Sequence, residues 1–348
     1  MKWLLLCIPV GLGLAFLHAD PVVVFLVSAL AIIPLAQYLG DVTEDLASYL
    51  GSATGGLLIA SMGTLPDLII GIFALRHGLI DVVKASITGA IVGNILLGVG
   101  LAILLGTRRM KGGLKFDPDT THFFGGLMLL AIMGLIIPAI FSFSTETERE
   151  ISLEISIILL AVYGLSVLFT LTQVIVPQED PEWKMESLQH PSQGKKASLK
   201  AATGWLLVLA VLLSVMSEVL TEVLDPAAST MGFSATFTGI FLLAPIGGAA
   251  ELINAVRFAR KNQLDVALAS SIGSSIQTAL LAAPILVFAG LVMGQPMNLL
   301  FGQFQVVAII LAVVAINNTL SVGSVRWMAG IKLIAIYLML GVGFYYQP

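Results

Sequence analysis

The chain has 348 residues, of which 57% are hydrophobic and only 11% charged, with a mean hydropathy of +0.99 and a formal net charge of -4. A soluble protein carries about 25% charged residues, so these figures exclude a water-soluble domain and leave a polytopic membrane protein whose partner is the lipid bilayer. No basic face with interleaved aromatics is present, which removes nucleic-acid binding, and Cys7 is the sole cysteine, which removes an internal disulfide.

Windows of about 20 apolar residues mark spans. Taken in chain order they fall at 3–18, 21–39, 52–76, 82–106, 121–142, 152–176, 202–224, 235–257, 264–293, 298–316 and 326–346, about eleven in all. They are Leu/Ile/Val/Ala/Gly runs without strand-like alternation, which predicts helices and an all-α fold. The first, within residues 1–20, is expected to remain as an extra uncleaved helix, because Leu17 stands where a signal-peptide cleavage site needs a small residue. The longest hydrophilic stretch, 177–200, carries Glu179-Asp180-Pro181-Glu182 and Lys195-Lys196 and is expected to be a cytoplasmic linker. It divides the chain into 21–176 and 201–348. Glu44 and Asp45 are assigned to a loop.

Lysine and arginine sort strongly by side. The N-terminus and the loops after even-numbered spans hold 14, among them Lys2, Arg108, Arg109, Lys111, Lys195, Arg257, Arg260 and Lys332, whereas the opposite side holds Arg76, Lys84 and Arg149. The positive-inside rule then predicts a cytoplasmic N-terminus and an outside C-terminus.

Residues 54–100 and 238–284 align without a gap at an offset of 184, with identities that include Thr54/Thr238, Gly55/Gly239, Ala60/Ala244, Gly63/Gly247, Leu68/Leu252, Asp81/Asp265 and Gly89/Gly273. Asp67 in span 3 matches Glu251 in span 8. Five spans separate them, so the two copies run in opposite directions, and spans 2–6 and 7–11 form two inverted five-helix repeats. Such repeats build alternating-access transporters around a midplane site. A carboxylate at that depth costs roughly 2.5–3.5 kcal/mol on insertion scales and marks an ion or proton path.

Each acid follows a helix-breaking run, Gly63-Thr64-Leu65-Pro66-Asp67 and Pro245-Ile246-Gly247-Gly248-Ala249-Ala250-Glu251. A break is expected to free backbone carbonyls as ligands for a hard cation. In span 9, Ser270, Gly273, Ser274 and Gln277 share a face; in span 4, Ser86, Gly89, Ala90 and Gly93 do so, with Asn94 one residue on. The small residues serve close helix approach. The buried amides of Asn94 and Gln277 need partners and are candidates for the site. Lys84, Asp81 and Asp265 sit at span starts and reach the interface, as does Glu218. No cysteine or histidine adjoins the acids, so zinc and copper are poor fits, and oxygen-only ligands suit Ca²⁺ or, less strongly, Na⁺.

These residues resemble the alpha-repeats of the cation/Ca²⁺ exchanger superfamily, and specifically its Ca²⁺/H⁺ exchanger family, over spans 2–11. The family's Gly-Asn-x-x-Glu is met here by Gly63-Thr64-Leu65-Pro66-Asp67 and Gly247-Gly248-Ala249-Ala250-Glu251, while Val82 to Asn94 and Gly273-Ser274-Ser275-Ile276-Gln277 are similar to the helices that follow. The chain departs in having Asp for the first acid, Thr64 and Gly248 for asparagine, and Lys84 for glutamine. The resemblance implies a ten-helix core plus one helix, Ca²⁺ export against proton entry, Asp67 and Glu251 as metal and proton ligands, and Gly63, Thr64, Asn94, Gly247, Gly248, Ser274 and Gln277 around them. Ca²⁺ would be the transported substrate and no cofactor is expected. A prokaryotic plasma membrane is the expected location. A Na⁺ or K⁺ exchanger on the same fold is the alternative. A channel does not require an inverted two-carboxylate site, and no His-Glu-x-x-His run suggests a membrane enzyme.

Overall fold

The computed structural model describes residues 2–50, 58, 62–107, 113–116, 118–141, 145–175, 199–321 and 323–347. The linker at 177–198, the repeat positions Thr54, Gly55 and Ala60, and the basic residues Arg108, Arg109, Lys111, Lys195 and Lys196 lie outside the described residues.

The fold is mostly helical. After a 3₁₀ turn at Lys2–Leu6 come α1 (Cys7–Phe16), α2 (Pro21–Leu50), α3 (Leu65–Arg76), α4 (Ile80–Thr107), α5 (Pro118–Ile140) and α6 (Thr145–Ile175). The second part holds α7 (Leu199–Glu222), α8 (Leu224–Met231), α9 (Ala235–Gly247), α10 (Ala249–Arg260), α11 (Leu264–Val292), α12 (Gln303–Leu320) and α13 (Trp327–Tyr345). Among the described residues seven helices are long and apolar enough to cross a membrane, or eight if α8 and α9, bent by 114°, are one span. Helix occupies at least part of every window read from hydropathy.

Several boundaries differ from the sequence reading, the start of α6 at Thr145 rather than 152 among them. Helix α2 runs on to Leu50, so Glu44 and Asp45 are helical and not in a loop. Beyond its apolar part the helix keeps a buried side through Thr43 and Ala47, while Asp41 and Glu44 stay exposed, and this two-sided character sustains it. The last window but one begins at Gln303 rather than 298, because Met297, Leu299 and Phe301 pack into the core as non-helical chain. One tie across the bundle left no hydropathy signal: Leu114–Lys115 pairs antiparallel with Ser324–Val325.

Lipid-facing and interior helices separate by burial. The apolar window of α4 is 83% buried and that of α11 is 61%, against 17% for α6 and 22% for α13. The exposed Leu165, Leu168, Phe169, Leu207, Val211 and Leu338 therefore form the lipid surface of outer helices. Glycine sets the interior contact of α4 with α9: a methyl on Gly89 would meet the Ile240 backbone at 2.6 Å, and one on Gly239 would overlap Ala85.

Three π-helical stretches interrupt the interior helices, Gly93–Gly98, Thr238–Leu243 and Thr278–Ala282. The first and third coincide to within one residue at the repeat offset. Widened turns of this kind concentrate at functional sites.

Candidate functional site

Asp67 and Glu251 occupy the same place in two short helices. Each is the third residue of its helix, α3 and α10. The residue ahead of each helix has nearly the same backbone, φ -84° and ψ -1° at Thr64 and φ -82° and ψ 12° at Gly248. These angles put a kink rather than a gap in the chain. The Leu68 N–H donates to the Thr64 carbonyl at 3.0 Å, Leu252 to Gly248 at 3.1 Å and Gly248 to Ala244 at 2.9 Å. The Thr64, Ala244 and Gly248 carbonyls are therefore taken up by backbone bonds, while the helical ladder itself is interrupted at Thr64 and Gly248. What the kinks provide is a helix N-terminus beneath each acid, whose positive end favours a carboxylate.

The two acids are exchanged between the copies. Asp67 packs on Gly247, where an added methyl would overlap its Oδ1 and lie 3.1 Å from its Cγ. Glu251 Oε1 lies 4.0 Å from where a methyl on Gly63 would be, and its Oε2 lies 3.9 Å from the same point on Gly248. Each carboxylate therefore reaches the glycine four residues ahead of the other, and Glu251 feels the charge of Asp67. Among the described residues Glu251 Oε2 is buried and accepts no hydrogen bond. A buried carboxylate oxygen without a donor calls for a proton or a cation.

Neutral oxygens surround the pair. Asn94, 3% exposed, donates from Nδ2 to Ser274 Oγ at 3.1 Å and turns Oδ1 toward Gly248. On the other side a cavity of about 20 Å³, about the room one water-sized sphere needs, is lined by Asp67, Ser86, Ala90 and Thr278 among others. The two sets exchange under the repeat, since Asn94 matches Thr278 and Ser274 matches Ala90 at the offset of 184.

Of the residues singled out from sequence, Asp67, Glu251, Gly63, Thr64, Asn94, Gly247, Gly248 and Ser274 come together here. Gln277 is half-buried, and no hydrogen bond ties it to either acid among the described residues. Thr278 was missed, although repeat arithmetic from Asn94 leads to it. Also missed were Gln37 and Asn254, which meet one turn beyond Glu251. Two charges are better anchored than their span-end positions suggested. Lys84 donates to Asn298 Oδ1 and, at 3.0 Å, to the Leu300 carbonyl, and Glu218 accepts from Arg76 at 3.2 Å.

Among the described residues no three or more His, Cys, Asp or Glu side chains are grouped so as to hold a metal ion. A cation held here would take its charge compensation from Asp67 and Glu251 alone and complete its shell with amide, hydroxyl or water oxygens, as a hard cation accepts.

Comparison with known proteins bears on this geometry. The sodium/calcium exchanger protein family matches residues 21–172 and 201–346. A Ca²⁺/H⁺ antiporter of Aphanothece halophytica is 38% identical over 99% of this chain and 96% of its own length. One of Synechocystis is 35% identical over 99% and 96%. The solved structure of native YfkE superposes with a TM-score of 0.84 at 30% identity, covering 98% of this chain and 97% of that one.

Proposed function

The chain belongs to the sodium/calcium exchanger protein family, and we propose that it is a Ca²⁺/H⁺ antiporter in which Asp67 and Glu251 are the shared ligands of Ca²⁺ and protons. The observation that carries this reading is the exchange of acids between Gly63 and Gly247, which brings two carboxylates from separate helices to one interior place.

Ionised, the pair carries two negative charges in a medium of low dielectric, where uncompensated charge is expensive. One divalent cation or about two protons neutralises them, so the two substrates compete. Neutral states exchange between inward- and outward-facing forms, whereas the empty, doubly charged state is held back. That rule makes the movement of Ca²⁺ obligatory against protons. Asn94 and Ser274 beside Glu251, and Ser86 and Thr278 beside Asp67, supply neutral oxygens to the ion. We further assign about eleven crossings in two inverted halves with an additional first helix, the basic ends of α10 and of the loops toward the cytoplasm, and a bacterial plasma membrane as the location.

The test is purified protein in liposomes with an inside-acid gradient and Ca²⁺, Na⁺, K⁺ and Mn²⁺ offered separately. Gradient-driven Ca²⁺ accumulation is expected, with loss in Asp67→Asn and in Glu251→Gln. Full exchange by either variant overturns the paired-acid mechanism, and accumulation of Na⁺ or K⁺ alone moves the chain to a monovalent exchanger.

A further inference from the structure

One turn beyond Glu251 a second group of oxygens lines a cavity. The cavity measures about 240 Å³ and is lined by Gln37, Tyr38, Asp41, Ile253 and Arg257. Gln37 and Asp41 are four residues apart on α2, and Glu251, Asn254 and Arg257 follow one another at intervals of three on α10, so one face of each helix meets the other. Gln37 bridges them. Its Nε2 donates to Asp41 Oδ1 at 3.2 Å and to Asn254 Oδ1 at 3.2 Å. Gln37 is 6% exposed, and its Oε1 is buried without a hydrogen-bond partner among the described residues. A buried amide oxygen left bare is costly, and a ligand would recover that cost.

Exposure falls stepwise from the exposed Asp41 through the half-buried Asn254 to the buried Gln37. Asp41, Gln37 and Asn254 are joined by hydrogen bonds, and Asn254 stands one helical turn from Glu251 on α10. Basic groups balance the acids: Arg257 lines the same cavity, and Arg257 and Lys261 both act electrostatically on Glu44.

We propose that this cavity is a staging site in which a divalent cation is held by the Asp41 carboxylate and the amide oxygens of Gln37 and Asn254 before it passes to Asp67 and Glu251. It rests on the reading of the chain as a cation transporter. The χ3 torsion of Gln37 is soft, so its amide can turn Oε1 toward the ion and surrender the bond to Asn254, which exposes the Asn254 oxygen as well. Arg257 acts as a tethered competitor that holds the acids neutral while the cavity is empty and retreats when the ion enters.

The experiment counts bound Mn²⁺ by electron paramagnetic resonance on the purified full chain, with Mn²⁺ standing in for a hard divalent cation. Two ions are expected in the unaltered protein and one in the Asp67→Asn/Glu251→Gln double variant. Asp41→Asn removes one ion in either background, and so does Gln37→Leu, which guards against a folding defect peculiar to one substitution. Arg257→Gln tightens the remaining ion of the double variant several-fold. If the count is the same with and without Asp41→Asn and Gln37→Leu, or if Arg257→Gln weakens binding, the staging site is overturned. A double variant that retains two ions, one of them lost on Asp41→Asn, supports the staging site and overturns the paired acids instead.

Discussion

Gly247 has no side chain where Asp67 needs the space: a single methyl at residue 247 would occupy the position of the Asp67 Oδ1. The matching contact, Glu251 against Gly63, leaves 4.0 Å. The exchange of acids is therefore tight on one side and open on the other, and the two glycines make unequal demands.

Gly247→Ala is expected to displace the Asp67 carboxylate and reduce Ca²⁺ uptake at least about tenfold, equivalent to about 1.4 kcal/mol. Gly63→Ala is expected to stay within about threefold of the parent, since 4.0 Å is ordinary van der Waals contact. Uptake in proteoliposomes, normalised to folded protein by size exclusion, measures both. Equal losses would separate function from this packing.

Asn94→Leu removes the donor to Ser274 and the oxygen facing Gly248. Thr278→Val removes a hydroxyl beside Asp67 at constant shape. Both are expected to raise the Ca²⁺ KM several-fold, by roughly the 0.5–1.5 kcal/mol of one net hydrogen bond, and neither to abolish transport as loss of an acid does. Gln277→Leu is expected to leave the KM unchanged. Initial rates across a Ca²⁺ titration distinguish the three.

Competition for two carboxylates fixes the sign of the pH response. Lowering pH on the Ca²⁺-loading side is expected to add protons to the two carboxylates proposed to hold the ion, and so to lower the apparent Ca²⁺ affinity. In the range where the empty site is protonated, the fall is about tenfold per pH unit for each proton displaced, and linkage makes Ca²⁺ binding release protons in equal measure. Binding calorimetry in buffers of different ionisation enthalpy reads the proton count; a value near zero contradicts a shared site.

Lys84 holds the chain around Asn298 and Leu300 through its ammonium group. Lys84→Met leaves the Asn298 oxygen and the Leu300 carbonyl without this donor and is expected to destabilise by roughly 1–3 kcal/mol. Lys84→Gln restores one donor and recovers part of the loss. Thermal unfolding in detergent, followed by the aggregation midpoint, provides the comparison.

Much of the site was legible before any coordinate. The acids, the kinks at Thr64 and Gly248, and Asn94 were readable because a charge or amide in an apolar run is costly and because the copies repeat at a fixed offset. Gln277 was read from the face of one helix, whereas the symmetry that relates the two copies points from Asn94 to Thr278. Gln37 and Asn254 escaped notice because amides near the ends of apolar windows look like interface residues; their meeting depends on how α2 packs against α10, which hydropathy does not record. Which kink carbonyls are taken up by backbone bonds, as those of Thr64, Ala244 and Gly248 are, depends on ψ and is not written in hydropathy.

The widened turns at Gly93–Gly98 and Thr278–Ala282 have a consequence for insertions and deletions. Elsewhere in a span, excising one residue spins everything beyond it by about 100° and turns core side chains into the lipid. Within these two stretches the surplus residue can be dropped and the coil tightened to ordinary pitch, with both ends of the span left in phase. Single-residue length changes should therefore be best tolerated right beside the chemistry, where they would shift Asn94 or Thr278 and little else.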